Sequence, residues 1–273
     1  MTLKSIVVVA SGEPSDAEAI GAAGELAARF DGAVGVTPAF PDPAADLVYY
    51  GAALQTVAEA GERIMASERQ AQERLESLGR DIAAREGASV IVAKRSLLPA
   101  MALAPAATLA DLVIFSGEAV RSKLGPLFAE TLLATRAPIL LTKGAPVAGG
   151  RVAVAWDGSG QAARAVRAAL PLLQAASGVL LARNVDDNSN EASVSSPEQM
   201  QAYLAQHGVK DVVALDVRGA KVAESLLVTA RAEMCDLLVA GAYGRPRLFE
   251  MVLGGTTRAL VHADGPPNLL LAH

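Results

Sequence analysis

Cysteine is almost absent from this 273-residue chain, where Cys235 stands alone. An internal disulfide is excluded, and such sparing use suits a reducing compartment. Cys235 sits beside Met234 just ahead of an apolar run, which reads as an inert, half-buried thiol rather than a redox switch. Histidine is scarce too: His207, His262 and His273 are scattered without metal-ligand spacing. No G-x-S-x-G elbow is present, no carboxylate pair is placed by its spacing for acid–base work, and the cysteine has no evident histidine partner. The expectation is a binding protein rather than an enzyme. Long hydrophobic runs are also missing. The longest, Leu97 to Ala110, contains Pro99 and Pro105 and stops at Asp111, too short to cross a bilayer. The opening segment turns polar too soon for a signal peptide. With a net charge of −5, nucleic acid is not an expected partner. A soluble cytoplasmic protein is expected, with no membrane association.

Hydrophobic residues make up 52% of the chain and aromatics only 4%, so small side chains dominate, as in helices packed closely on a sheet. The pattern predicts strands at Ile6 to Ala10, Ala33 to Val36, Ser89 to Ala93, Leu112 to Phe115 and Ile139 to Leu141. Between them it predicts a helix ending at Phe30 with Ser15 as N-cap, a long helical region over Leu47 to Glu86, and helices over Leu97 to Leu109 and Leu127 to Thr135. Gly144 to Gly150 is a linker by composition. Then the order restarts. Strands are predicted at Arg151 to Trp156, Gly178 to Ala182, Asp211 to Leu215, Leu237 to Ala240 and Asn268 to Leu271. The helices between them run from Gln161 to Ala175 behind a Ser159 cap, Pro197 to Gln206, Val222 to Glu233, and up to His262.

Two stretches superpose without a gap: Ser5-Ile-Val-Val-Val-Ala-Ser-Gly on Arg151-Val-Ala-Val-Ala-Trp-Asp-Gly, and Ala110-Asp-Leu-Val-Ile-Phe on Cys235-Asp-Leu-Leu-Val-Ala. Internal duplication explains this, with repeats over residues 1–144 and 150–273. Each β-α-β alternation implies a parallel sheet with right-handed crossovers. The chemistry is concentrated in Gly241 to Thr257, G-A-Y-G-R-P-R-L-F-E-M-V-L-G-G-T-T, after an apolar strand and before a helix. Free N–H groups of a glycine turn and a helix N-terminus form an anion cradle, with phosphate the usual occupant. The stretch is neither a Walker A loop nor a G-x-G-x-x-G fingerprint. The other reading open to it is that the glycines only turn the chain.

The spacing G-x2-G-x9-G resembles the ATP-binding loop of the universal stress protein family. With the duplication and the terminal apolar strand behind a proline, the whole chain resembles a tandem member. The resemblance implies two tandem open parallel five-stranded sheets with helices on both faces, Rossmann-like, paired as a pseudo-dimer through their fifth strands. Association of whole chains into a homodimer is allowed but not required. It further implies a stress-response regulator that binds ATP, with Mg2+ shielding the phosphates, and answers to an unidentified protein partner. By position, Asp157 would lie by adenine and ribose and the backbone of Val185 by the adenine edge, while Gly241, Gly244, Gly254, Gly255 and Thr256 would hold the phosphates. Two features depart from the family pattern. Gly255 stands where a Ser or Thr follows the third glycine, and Glu250 lies inside the loop, where its carboxylate would repel a triphosphate unless it points to solvent or pairs with Arg245 or Arg247. In the first repeat Ser11 replaces the aspartate and Ser116-Gly117-Glu118-Ala119 replaces Gly-x-x-Gly, so one site per chain is expected. The alternative is an interaction module of the same fold that binds no nucleotide.

Overall fold

The computed structural model describes residues 2–40, 54–186, 195–242 and 255–273, with the side chains of 54–60 set aside. Five parallel strands form the first repeat: β1 (Ser5–Ala10), β2 (Ala33–Pro38), β3 (Ser89–Val92), β4 (Leu112–Ser116) and β5 (Ile139–Thr142). The second repeats the plan with β6 (Arg151–Ala155), β7 (Gly178–Asn184), β8 (Val212–Val217), β9 (Cys235–Gly241) and β10 (Asn268–Ala272). The strand orders are mirror copies within one ten-stranded sheet, β3-β2-β1-β4-β5-β10-β9-β6-β7-β8. The halves join where β5 meets β10 antiparallel, with Leu140 opposite Leu270, as the apolar fifth strands predicted. Pairing the two ends covers edges that would otherwise invite aggregation.

In the first repeat, α1 (Asp16–Phe30), the 33-residue α2 (Leu54–Glu86) and α3 (Pro99–Thr108) precede a compound segment. That segment comprises α4 (Gly117–Ala119), a π-helical turn over Val120–Leu124 and α5 (Gly125–Thr135). The sequence pattern showed only its last part. The second repeat has α6 (Gly160–Gln174), α7 (Pro197–Gln206), α8 (Val222–Ala232) and α9 (Gly255–His262). The part of the predicted long helix before Leu54 lies outside the described residues. Side chains alternate across the sheet. Ile6, Val8, Val152, Val154, Leu140 and Leu270 pack under α1, α2, α6 and α7. Val7, Val9, Ala153, Leu141 and Leu271 pack under α3, α5, α8 and α9. Each layer therefore runs through the β5–β10 junction without a break.

The linker is tied down. Asn268, fully buried, accepts from the Lys143 N–H (2.7 Å) and donates to the carbonyls of Ala145 (2.9 Å) and Pro146 (3.1 Å). The Gly144 N–H donates to Glu18 (2.6 Å), and Val147 is buried in the core. The duplicated aspartates also occupy matching places. Asp111 accepts the N–H groups of Lys4 and Ser5 at the start of β1. The Asp236 carboxylate lies so close to Gly150, just before β6, that a Cβ there would sit 1.6 Å from Oδ2.

One predicted cap is corrected. The Ser15 side chain caps nothing, and its buried Oγ has no partner among the described residues. The turn before α1 is held by Asp16 instead. Among the described residues no helix is long and apolar enough to cross a membrane.

Candidate functional site

In an open parallel sheet the carboxyl ends of the strands carry loops that can converge on a ligand, and helices start there with unpaired N–H groups. In the second repeat this edge opens with Trp156 and Asp157 after β6. The Trp156 N–H continues the ladder to the Ala182 carbonyl (2.9 Å). Asp157 is exposed, its Oδ1 accepting from the Ser159 N–H (2.9 Å). Ser159 then caps α6, with Oγ accepting from the Ala162 N–H at 3.1 Å. The Asp-Gly-Ser turn is thus both a folded cap and a carboxylate turned out to water.

Gly241 has a physical reason to be glycine. It ends β9 against the first turn of α6, where a Cβ would lie 2.6 Å from the Ala162 nitrogen and 2.7 Å from the Gln161 carbonyl carbon. That close approach brings the end of β9 beside the Asp157–Ser159 turn. Gly255, the first residue of α9, is exposed and has no atom within 4 Å of where its Cβ would be. Thr256 is exposed as well, whereas the Thr257 side chain is buried. Gly244 and Gly254, with Arg245, Arg247 and Glu250, lie outside the described residues.

Val185 is half-buried after β7, and its N–H donates to the Val217 carbonyl (3.0 Å), extending the β7–β8 ladder. The neighbouring Asn184 side chain gathers the two exit loops. It donates to the Gly219 carbonyl (2.9 Å) and to Ser225 Oγ (2.8 Å) and accepts from the Asp186 N–H (2.9 Å). Asp186 in turn accepts from the Gly219 N–H at 2.8 Å. Sequence reasoning missed this network, because an asparagine at a strand end carries no signal of its distant partners. It also passed over Trp156, the only tryptophan, which is 3% exposed with an indole N–H that has no partner among the described residues.

The matching edge of the first repeat is filled by the protein itself. Asp16, 1% exposed, accepts from the N–H groups of Ser11 (3.0 Å) and Gly12 (2.7 Å) and from the Ser11 hydroxyl (3.2 Å). Burial raises its pKa above the ordinary carboxylate value of 3.8, with those hydrogen bonds pulling the other way. Gly12, at φ +84°, lies under the Phe40 ring and Ala71, so that a Cβ there would be 3.0 Å and 3.1 Å from them. Arg74 donates to the Gly12 carbonyl, and Lys123 on the π-helical turn pairs with Glu13. Where the second repeat has the glycine stretch, the first has the compound helix starting at Gly117. A Cβ on Gly117 would lie 2.7 Å from the Thr142 carbonyl oxygen.

Cys235 is buried rather than half-buried, and burial pushes its pKa up to about 11, which leaves the thiol protonated and unreactive at neutral pH. Among the described residues no group of three or more His, Cys, Asp or Glu is arranged to hold a metal ion.

Residues 150–264 match the model of the universal stress protein family. Among solved structures, a universal stress protein from Archaeoglobus fulgidus DSM 4304 aligns over 99% of this chain and 96% of its own, at 16% identity and a TM-score of 0.71. A functionally unknown protein from Pseudomonas aeruginosa PAO1 aligns over 99% and 92%, at 18% identity and a TM-score of 0.58. A universal stress protein solved in complex with cAMP aligns over 45% of this chain and 97% of its own, at 22% identity and a TM-score of 0.38. No curated protein matches the sequence. Both of the first two align over 99% of this chain, so the likeness of fold extends beyond the stretch that the family model covers. The second repeat belongs to the universal stress protein family, and the first carries the same fold.

Proposed function

We propose that the chain binds one adenine nucleotide, ATP with Mg2+ as counter-charge, at the carboxyl edge of its second repeat, and acts as a nucleotide-responsive regulator. The observation that carries this reading is the contrast between the two edges. Asp16 and Phe40 occupy the first, while the second keeps the Asp157 carboxylate and the N-terminal residues of α9 exposed to solvent. Asp157 suits a ribose hydroxyl, to which a carboxylate is an acceptor. The N–H groups at Gly255 and Thr256 suit phosphate oxygens, and at Gly255 nothing crowds the approach. The divalent ion would lower the repulsion between phosphates and nearby carboxylates. The reading assigns binding rather than catalysis to this edge. A cytoplasmic setting and a protein partner that senses the loaded state belong to the same reading.

A second reading, an interaction module without nucleotide, draws on two details. The Val185 N–H is spent on Val217, so an adenine edge there would have to meet other groups. Gly241 is explained by helix packing without any ligand. Titration calorimetry of the full chain with ATP and Mg2+ separates the readings. One site per chain is expected, lost in Asp157→Ala and kept in Ser11→Ala. Bound ATP at a hundredfold excess over its dissociation constant should stabilise the fold by about 2.7 kcal/mol. Two equivalent sites would overturn the asymmetry, and no binding at millimolar ATP hands the function to the second reading.

A further inference from the structure

Lys143 is the first residue after β5 and stands just before the linker that begins at Gly144. Its side chain is buried, yet it points into the other repeat. Nζ donates to the carbonyls of Leu260 (2.7 Å), Val261 (3.2 Å) and Ala263 (2.8 Å), which are the last carbonyls of α9 and the residue beyond it. An ammonium has three N–H donors, and all three are used on groups that a helix end leaves unpaired. A cation there also meets the negative end of the helix dipole. The charged groups around it are Arg121 on the π-helical turn, Arg231 on α8 and Asp264 after α9. Arg121 pairs with Asp264 at 3.2 Å, and Arg231 Nε donates to the Pro266 carbonyl at 2.9 Å. Burial, with the two arginines adding, lowers the Lys143 pKa to about 8.

The arrangement is one-sided. The strand registers make Ile139 equivalent to Leu269, and hence Lys143 equivalent to His273. His273 lies against the Ala242 carbonyl through Nδ1 at 3.1 Å, beside the end of β9 rather than at a helix end. So the first repeat clamps a helix of the second. That helix is only eight residues long, and an isolated helix of that length is marginal in water. Among the described residues, Thr257, Leu260 and Val261 bury one face of it and Lys143 ties down its last carbonyls. Its opposite end, Gly255 and Thr256, is the candidate phosphate end, about 12 Å away along the axis.

We propose that Lys143 is a positioning residue through which the first repeat holds α9 in place, so that nucleotide affinity in the second repeat depends on a side chain of the first. This rests on the nucleotide reading above for the ligand, though not for the clamp. Two measurements on the full chain test it, using Lys143→Met, Lys143→Arg and, should the methionine variant fail to fold, Lys143→Gln. Without ligand, amide exchange at Ala259 to His262 should accelerate about tenfold or more in Lys143→Met, while α6 keeps its protection. With ATP and Mg2+, affinity should fall about fivefold or more in Lys143→Met. Lys143→Arg, which keeps the charge and the donors, should recover most of both effects. Unchanged exchange in α9 overturns the clamp. Faster exchange with unchanged ATP affinity overturns the coupling. If the unmutated protein binds no ATP, the nucleotide reading and the coupling fall together, and the exchange data still decide the clamp.

Discussion

After β1 the chain turns through Ser11 and Gly12 and closes that turn on the buried carboxylate of Asp16. After β6 it turns through Asp157 and Gly158 and caps the next helix with Ser159, leaving the carboxylate exposed. Ser159 accepts an N–H of the helix start, whereas Asp16 accepts the N–H groups of the turn that precedes its helix; both turns follow the central strands of their half-sheets. They differ in where the negative charge ends up. In the first repeat it is spent inside the protein, with Phe40 and Ala71 packed over Gly12. In the second it faces outward next to the end of β9. A duplicated fold can thus keep its sheet while one edge turns its acidic residue inward beneath an aromatic ring and the other turns it to solvent.

The comparison depends on the two repeats sharing one sheet, and the largest effect should come from breaking that junction. Leu270 is fully buried in β10, which is flanked by β5 and β9, so each of its backbone N–H groups faces a neighbouring strand. Leu270→Pro removes a ladder donor and a core side chain together, a loss on the order of 4 kcal/mol or more. The expected result is a sharply lowered melting temperature and protease cleavage within residues 145–150. Asn268, which holds the Ala145 and Pro146 carbonyls, is itself part of β10 and lets go with it. A variant that stays compact with a protected linker would show that some other surface joins the repeats.

A smaller effect tests whether the first edge is filled for stability. In Asp16→Asn one of the two accepting oxygens becomes an NH2 group, which confronts the N–H of Ser11 or Gly12. Leaving such a donor unpaired should cost about 1–2 kcal/mol in denaturant melts at pH 7. The pH dependence carries a definite sign. The folded pKa of Asp16 lies above its ordinary value, so in the window just above 3.8 the folded protein binds more protons than the unfolded chain. This group's contribution to stability therefore falls as pH rises through that window. The wild-type advantage over Asp16→Asn should shrink there, and an advantage that grew with pH would show that the hydrogen bonds outweigh burial.

Much of this architecture is legible in the sequence. The β-branched and leucine-rich runs mark all ten strands: the inner ones are covered by helices and must be apolar, while the edge strands β3 and β8 show as valine-rich runs although largely exposed. Pro197 to Gln206 matches α7 at both ends, where Ser196, Pro197 and Gln199 form a capping box. The meeting of β5 and β10 follows from two apolar edge strands that need cover. What stayed hidden depends on distant contacts. Ser15 has the residue type of a cap, yet its hydroxyl caps nothing, and Asp16 turns back to the N–H groups of Ser11 and Gly12 instead. The π-helical turn at Val120 to Leu124 follows no hydrophobic period. Lys143 carries no signal in the sequence until α9 is seen to end above it. At the candidate site the sequence named Asp157 and Gly255, which the structure places in solvent, and the resemblance gave Gly241 a phosphate role at a position where helix packing by itself demands a glycine.

The smallest effect separates the two cap serines, which the sequence treats alike. Ser159 accepts the Ala162 N–H through Oγ at 3.1 Å, with its backbone in the extended region usual for an N-cap. Ser15 has a helical backbone, φ −64° and ψ −15°, and its buried Oγ meets no partner among the described residues. Replacing a working cap serine by alanine costs about 1 kcal/mol. Removing a buried hydroxyl without a partner relieves a desolvation penalty instead and should leave stability level or raise it by a few tenths of a kcal/mol. Ser159→Ala should therefore lower the midpoint of a urea melt, while Ser15→Ala should leave it unchanged or move it up. Equal losses in the two variants would mean that Ser15 finds a partner in solution and that the turns before α1 and α6 are more alike than their geometry indicates.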